Sequence, residues 1–137
     1  MLDSNAMDEN ISSKIDLRYL DHKVVFSICD CSLHKNYSFY KLNREEATQF
    51  IKRLKRIEQY TWKQFMELSR ESGLTPERKN SESYQLIHEQ NSYVEKLVAQ
   101  HYFHFRVEQK DLFRIFGYQR EQFFCITHID PKGKIHH

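Results

Sequence analysis

The sequence predicts an α+β domain: an antiparallel sheet built largely from the C-terminal third, with helices packed on one face. Three observations carry this expectation. Residues 102–107, 112–118 and 123–129 are short aromatic and β-branched segments between polar turns, the pattern of a three-stranded meander. Residues 43–72 hold apolar positions at helical spacing, in two segments that each begin with a capping signal. Residues 15–19, 24–28 and 37–40, ahead of the helices, read as an opening strand or hairpin.

In chain order, Ile15, Leu17 and Tyr19 alternate with Asp16 and Arg18, as in a half-buried strand. Val24 to Ile28 and Tyr37 to Tyr40 give two further strand candidates around a polar connection. Asn43 with Glu46 forms a capping box, and Ala47, Phe50, Ile51, Leu54 and Ile57 mark one buried helical face over residues 43–58. Thr61 with Gln64 repeats the box, and Trp62, Phe65 and Met66 continue a helix over 61–72 that Gly73 stops. The two should form an αα-hairpin. Residues 74–83 read as a mobile connector, Tyr84 to Ile87 as a short helical turn, and Val94, Leu97, Val98 and His101 as a further short helix.

Strand alternation assigns the faces of the meander. With a hairpin turning at Gln119-Arg120, Ile115 faces Phe124 and Phe113 faces Ile126 on the core side. Arg114, Phe116, Tyr118, Phe123, Cys125 and Thr127 then share the other face, which should be open to solvent. Phe103, Phe105 and Val107 point to the core and leave Tyr102, His104 and Arg106 outward. His128 joins them only if a bulge near Thr127 breaks the alternation. Asp130-Pro131-Lys132-Gly133 has the residues of a reversing turn and should bring His136 and His137 back beside the last strand.

Length and composition bound the alternatives. At 137 residues, with 29% charged and 14% aromatic side chains, residues 14–137 suit one domain. Residues 1–13 suit a disordered tail, and Ser4-Asn5-Ala6 before Met7 looks like the remnant of a cleaved tag, so residues 1–6 need not be natural. A net charge of +2 does not by itself mark a nucleic-acid binder, so a basic site must come from clustering. No apolar run approaches the roughly 20 residues of a membrane span. Three cysteines without a signal core point to a reduced, cytoplasmic setting.

The candidate chemistry lies in the cations and histidines. Arg106, Arg114 and Arg120 match phosphate oxygens with their guanidinium forks, or pair with Glu108, Asp111 and Glu121. His104, His128, His136 and His137 titrate where general acid–base catalysis needs it, although a lone strand histidine is more often structural. Lys52, Arg53, Lys55 and Arg56 give the first helix a basic outer face, which is either ordinary solvation or a surface for RNA. Phe116, Phe123 and Tyr102 are candidates to stack a splayed base. Cys29-Asp30-Cys31 is not a zinc-ribbon spacing, and there is no phosphate-binding glycine loop, so neither metal nor cofactor is expected.

Two helices followed by a meander, with Asp111 to Tyr118 leading into Phe123 to Ile129, resembles the RelE/ParE/HigB toxin superfamily over residues 43–137. The likeness is topological; residues 15–42 are longer than the family's opening strand. It implies a bacterial toxin that cuts mRNA, often on the ribosome, without a metal, and that is held by a small antitoxin. By position it implies that Arg106 and Arg114 hold phosphate, with Tyr118, His104, His128 or His136 moving protons. Lys52, Arg53, Arg56, Phe116, Arg120, Phe123 and Lys132 would bind RNA. The alternative is a non-enzymatic protein-binding module, a ParE-like inhibitor or an immunity or accessory protein, whose aromatic sheet face is an interface.

Overall fold

The computed structural model describes residues 14–69, 72–78, 101–108 and 112–135. Among the described residues, Asn43 and Thr61 start the helices α1 (Arg44–Ile57) and α2 (Trp62–Glu67). The Glu46 N–H donates to the Asn43 side chain at 2.8 Å, and the Asn43 N–H donates back to the Glu46 carboxylate at 3.0 Å. Thr61 and Gln64 repeat this at 3.1 and 2.9 Å. Each box satisfies N–H groups that a helix start leaves without intrahelical partners. α2 stops five residues short of the expected end because Leu68 is already extended (ψ 154°).

Among the described residues the sheet has five strands, not three: β1 (Val25–Ser27), β2 (Thr75–Pro76), β3 (Tyr102–Arg106), β4 (Arg114–Arg120) and β5 (Phe123–Asp130). Their order is β1-β5-β4-β3-β2, with β1 parallel to β5 and the other pairs antiparallel. The meander therefore forms the middle of a mixed sheet. Thr75-Pro76, expected in a mobile connector, supplies an edge strand, the position where a residue lacking an N–H is tolerated.

Two expected strands are absent. Leu17–Tyr19 is a 3-10 turn held by the Asp16 carboxylate, which accepts from the Arg18 N–H, and Leu17 is exposed. Phe39–Lys41 is another 3-10 turn, with Phe39 and Tyr40 exposed. In both places a local hydrogen bond closes a turn where alternation suggested a strand. The 1–13 tail, the helices expected around 84–101 up to residue 100, His136 and His137 lie outside the described residues.

The β4–β5 register also differs from expectation. The hairpin turns at Glu121-Gln122, with Glu121 in the left-handed region (φ 57°), so Arg120 pairs Phe123 and Ile115 pairs Ile129. Between Phe116↔His128 and Gly117↔Ile126 the pairing skips Thr127, a β-bulge. Face assignments survive because the bulge adds one residue at the point where alternation would have failed. Phe113, Ile115, Phe124, Ile126 and Ile129 pack with Phe50, Ile57, Trp62 and Phe65 in the main core under the helices. Ile51, expected there, is 46% exposed, since it sits about 100° round α1 from Phe50.

The second sheet face is not open. Tyr102, Phe116, Tyr118, Cys125 and Ile135 form a separate buried cluster with Tyr37 and Phe123 packed against it. Residues 28–38 run beside β5, and Asp30 and Tyr37 reach this side, Asp30 accepting from the Tyr118 hydroxyl. The Ser32 N–H donates to the Thr127 carbonyl at 2.7 Å, and the Ile129 N–H donates to that of Tyr37 at 2.9 Å. The C-terminal segment folds back as the Asp130 to Gly133 pattern predicted. The Asp130 carboxylate accepts from the Lys134 and Ile135 N–H groups, both at 2.9 Å, and Ile135 is buried. Each large apolar side chain so covered contributes roughly 1.5–3 kcal/mol.

Candidate nucleic-acid-binding groove

Pairing sorts the second sheet face into cross-strand rows. One row is Tyr102, Tyr118 and Cys125; the next is His104, Phe116 and His128; the third is Arg106, Arg114 and Asp130. The expected companions are therefore on one face, and the Thr127 bulge puts His128 among them. Their surroundings are not those of an open catalytic surface. Tyr118 is fully buried and its hydroxyl donates to the Asp30 carboxylate; burial, then that bond, pushes its pKa well above the ordinary phenol value. His128 is 2% exposed, with the Tyr37 ring edge-on at 6.0 Å, and burial holds its pKa down at about 4. Neither side chain presents a titrating atom to a substrate at neutral pH.

His104 is different. Its side chain is 12% exposed, and Nδ1 lies 2.5 Å from the Glu77 carboxylate, itself buried. The ring packs on Phe116 at 5.2 Å. A carboxylate fixing one imidazole nitrogen orients the ring and sets its tautomer, as an acid–base histidine requires. Glu77 had no signal in the sequence, because its segment read as a connector; the edge strand β2 delivers it, with the Glu77 N–H bonded to the Tyr102 carbonyl at 2.9 Å.

The basic side chains of α1 gather elsewhere. A groove of about 930 Å³ runs between α1 and the end of β3, and Arg44, Lys52, Arg53, Arg56 and Arg106 line it with Glu45 and Glu108. Four cations of α1 and the Arg106 end of β3 thus meet two carboxylates around one groove, although the chain's net charge is only +2. Arg44, Thr48, Lys52 and Arg56 recur every four residues, so each is the next one's neighbour in a stripe that winds about 120° round the helix. Twelve residues of α-helix span about 18 Å. The sequence reading identified Lys52, Arg53, Arg56 and Arg106 but missed Arg44, although its four-residue spacing to Thr48 was a usable signal.

Arg53 is more than a member of the row. Its guanidinium donates to the Arg106 carbonyl at 3.2 Å and to the Ser72 carbonyl, tying α1 to β3 and to the segment after α2. Burial pushes its pKa below the ordinary arginine value, and neighbouring Arg56 acts in the same direction against Glu108. An arginine so placed still keeps its proton. Lys52 and Arg56 remain exposed.

The other expected RNA contacts lie apart from this groove. Phe116 is fully buried, so it cannot stack a base in this arrangement. Phe123 is half-buried at the β4–β5 hairpin with the Arg120 guanidinium 5.9 Å from its ring centre. Lys132 reaches Glu46 at 3.2 Å near the start of α1. Among the described residues no three His, Cys, Asp or Glu side chains are grouped as metal ligands, and Cys29, Cys31 and Cys125 are free thiols. Also among the described residues, no helix is long and apolar enough to cross a membrane.

No protein-family model matches this sequence, and no curated protein or solved structure matches it either.

Proposed function

We propose that the protein binds RNA by its phosphate backbone, in the groove between α1 and the end of β3. The observation that carries this reading is the gathering of Arg44, Lys52, Arg53 and Arg56 of α1 along one groove, closed by the Arg106 to Glu108 end of β3, in a nearly neutral chain. Clustered cations release counterions from a polyanion, and guanidinium forks match phosphate oxygens. Charge reversal of Lys52 and Arg56 together should abolish RNA binding in an electrophoretic shift. The same change at Lys55, on the same helix but outside the groove, should not.

A second reading adds cleavage: a toxin-like endoribonuclease, acting on mRNA without a metal and restrained by a small antitoxin. It rests on the 2.5 Å His104–Glu77 contact, on the strand that carries Arg106 to the groove. His104 would take the ribose 2′-hydroxyl proton with Glu77 orienting its ring, while Arg106 and Arg114 stabilise the charge developing on phosphorus. Incubating RNA with wild type and with His104→Ala tests it. Cleavage by the first and not by the second supports this reading, and an intact transcript in both tubes leaves a binding protein only.

A further inference from the structure

We infer that the groove takes a base-paired stretch of RNA rather than a splayed single strand, an inference that rests on the groove being the RNA site. Three features of the molecule point this way. The first is rigidity. Arg44, Lys52 and Arg56 stand on one 14-residue helix, and Arg53 in its C-terminal half is pinned to two backbone carbonyls. A row of charges about 18 Å long, winding about 120° round a helix fixed in place, fits phosphates that already lie at set intervals along a winding backbone, as they do in a double helix.

The second feature is where the aromatic rings have gone. Proteins that hold single strands offset the cost of ordering them by stacking bases on exposed rings. Here Tyr102, Phe116 and Tyr118, on the same sheet face as Arg106 and Arg114, are fully buried in a cluster with Ile135, and the exposed rings of Phe39 and Tyr40 are not among the residues that line the groove. Phe123 stands at the hairpin end of β4, and Arg114, paired with Arg106, stands at the other. Six strand steps of about 3.3 Å separate those ends by roughly 20 Å, and Phe123 already has Arg120 against it. The described lining of the groove is charged or small and polar apart from Val107.

The third is the pattern of charge. Glu45 and Glu108 stand among the cations, so phosphate is not welcome everywhere in the groove. What remains favourable is a single track past Arg44, Lys52 and Arg56, with Thr48 and Gln49 between them as neutral hydrogen-bonding groups. One track for one backbone, with polar groups suited to ribose 2′-hydroxyls, is the way paired RNA is recognised by shape. Contacts of this kind carry no base preference.

Fluorescence anisotropy on the full chain tests the inference. The probes are a labelled RNA duplex of about 20 base pairs, a second duplex of scrambled sequence, and an unstructured single strand of the same length. The duplexes should bind equally and at least tenfold more tightly than the single strand. Lys52→Ala with Arg56→Ala should weaken duplex binding at least tenfold, and Lys55→Ala should leave it unchanged. A single strand bound as tightly as the duplex, and weakened by the same two substitutions, would overturn the inference and leave the groove as an RNA site. No binding of any probe, or binding indifferent to Lys52 and Arg56, would remove the RNA reading itself.

Discussion

The Arg53 guanidinium donates to the backbone carbonyl of Arg106 at 3.2 Å, which fixes the C-terminal half of α1 against the end of β3 and sets one wall of the basic groove. Arg53 should therefore act on stability and Lys52, under the proposed reading, on binding, although they are neighbours in sequence. Replacing Arg53 by Ala leaves the Ser72 and Arg106 carbonyls without that donor and should cost about 1–3 kcal/mol in urea denaturation. Lys52→Ala, on an exposed side chain, should cost less than about 0.5 kcal/mol while weakening RNA binding. Equal destabilisation by the two would place Lys52 in the scaffold.

Gly117 stands opposite Ile126 at the β-bulge, where a Cβ would lie 2.4 Å from both the Cys125 carbonyl oxygen and a Phe124 ring carbon. The bulge keeps His128 and Asp130 on the face of Arg114, so this close approach is part of how the face is assembled. Gly117→Ala should destabilise by about 1–3 kcal/mol, the usual cost of overpacking. A thermal melt unchanged by the substitution would show that β5 has room to retreat.

The helices and the parity of the meander were legible because their signals are local. Asn43 with Glu46 and Thr61 with Gln64 cap within four residues, and Phe103, Phe105, Ile115 and Phe124 obey simple alternation. What the sequence concealed depends on distant partners. Nothing in Thr75-Pro76-Glu77 signals that it will pair with β3 and deliver a carboxylate to His104. The second face read as open because its cover, residues 28–38 and Ile135, is polar, irregular or short. The candidate site was half legible: Lys52, Arg53, Arg56 and Arg106 were named, but as two separate sets. Only the fold brings the end of β3 to the side of α1.

His128 should make stability depend on pH. Its folded pKa of about 4 lies below the ordinary 6.5, because burial under Tyr37, and secondarily the nearby His34, disfavours the charged ring. Between those values the unfolded chain binds a proton that the folded chain does not, so stability is fully present above about pH 6.5 and falls as pH drops towards 4. The full difference is on the order of 3 kcal/mol. Asp16, held down at about 2 by the Arg18 side chain, titrates below this window. Urea midpoints between pH 7 and 4.5 should fall for wild type and flatten in His128→Phe; parallel curves would assign the acid sensitivity to another group.

If the second reading holds, RNA cleavage should depend on the His104–Glu77 pair more than on the buried Tyr118. Glu77→Gln removes the charge that orients the imidazole and should slow cleavage by roughly 10²–10⁴-fold, the range of an acid–base contribution. Cleavage should persist in excess chelator. Full activity in Glu77→Gln, or complete loss on adding chelator, would move the chemistry away from His104.

The salt dependence of RNA affinity tests the groove most directly. Each phosphate neutralised by a cation releases counterion, so the logarithm of the binding constant falls linearly with the logarithm of salt, by close to one per contact. Wild type should show a slope of roughly 3 to 4 on a duplex, matching Arg44, Lys52, Arg56 and one further cation of the groove. Removing Lys52 and Arg56 together should lower that slope by about 2, and removing Lys55 should leave it where it was. A double variant with the wild-type slope and affinity would contradict the account, because the charges lining the groove would then not be the ones that meet the RNA.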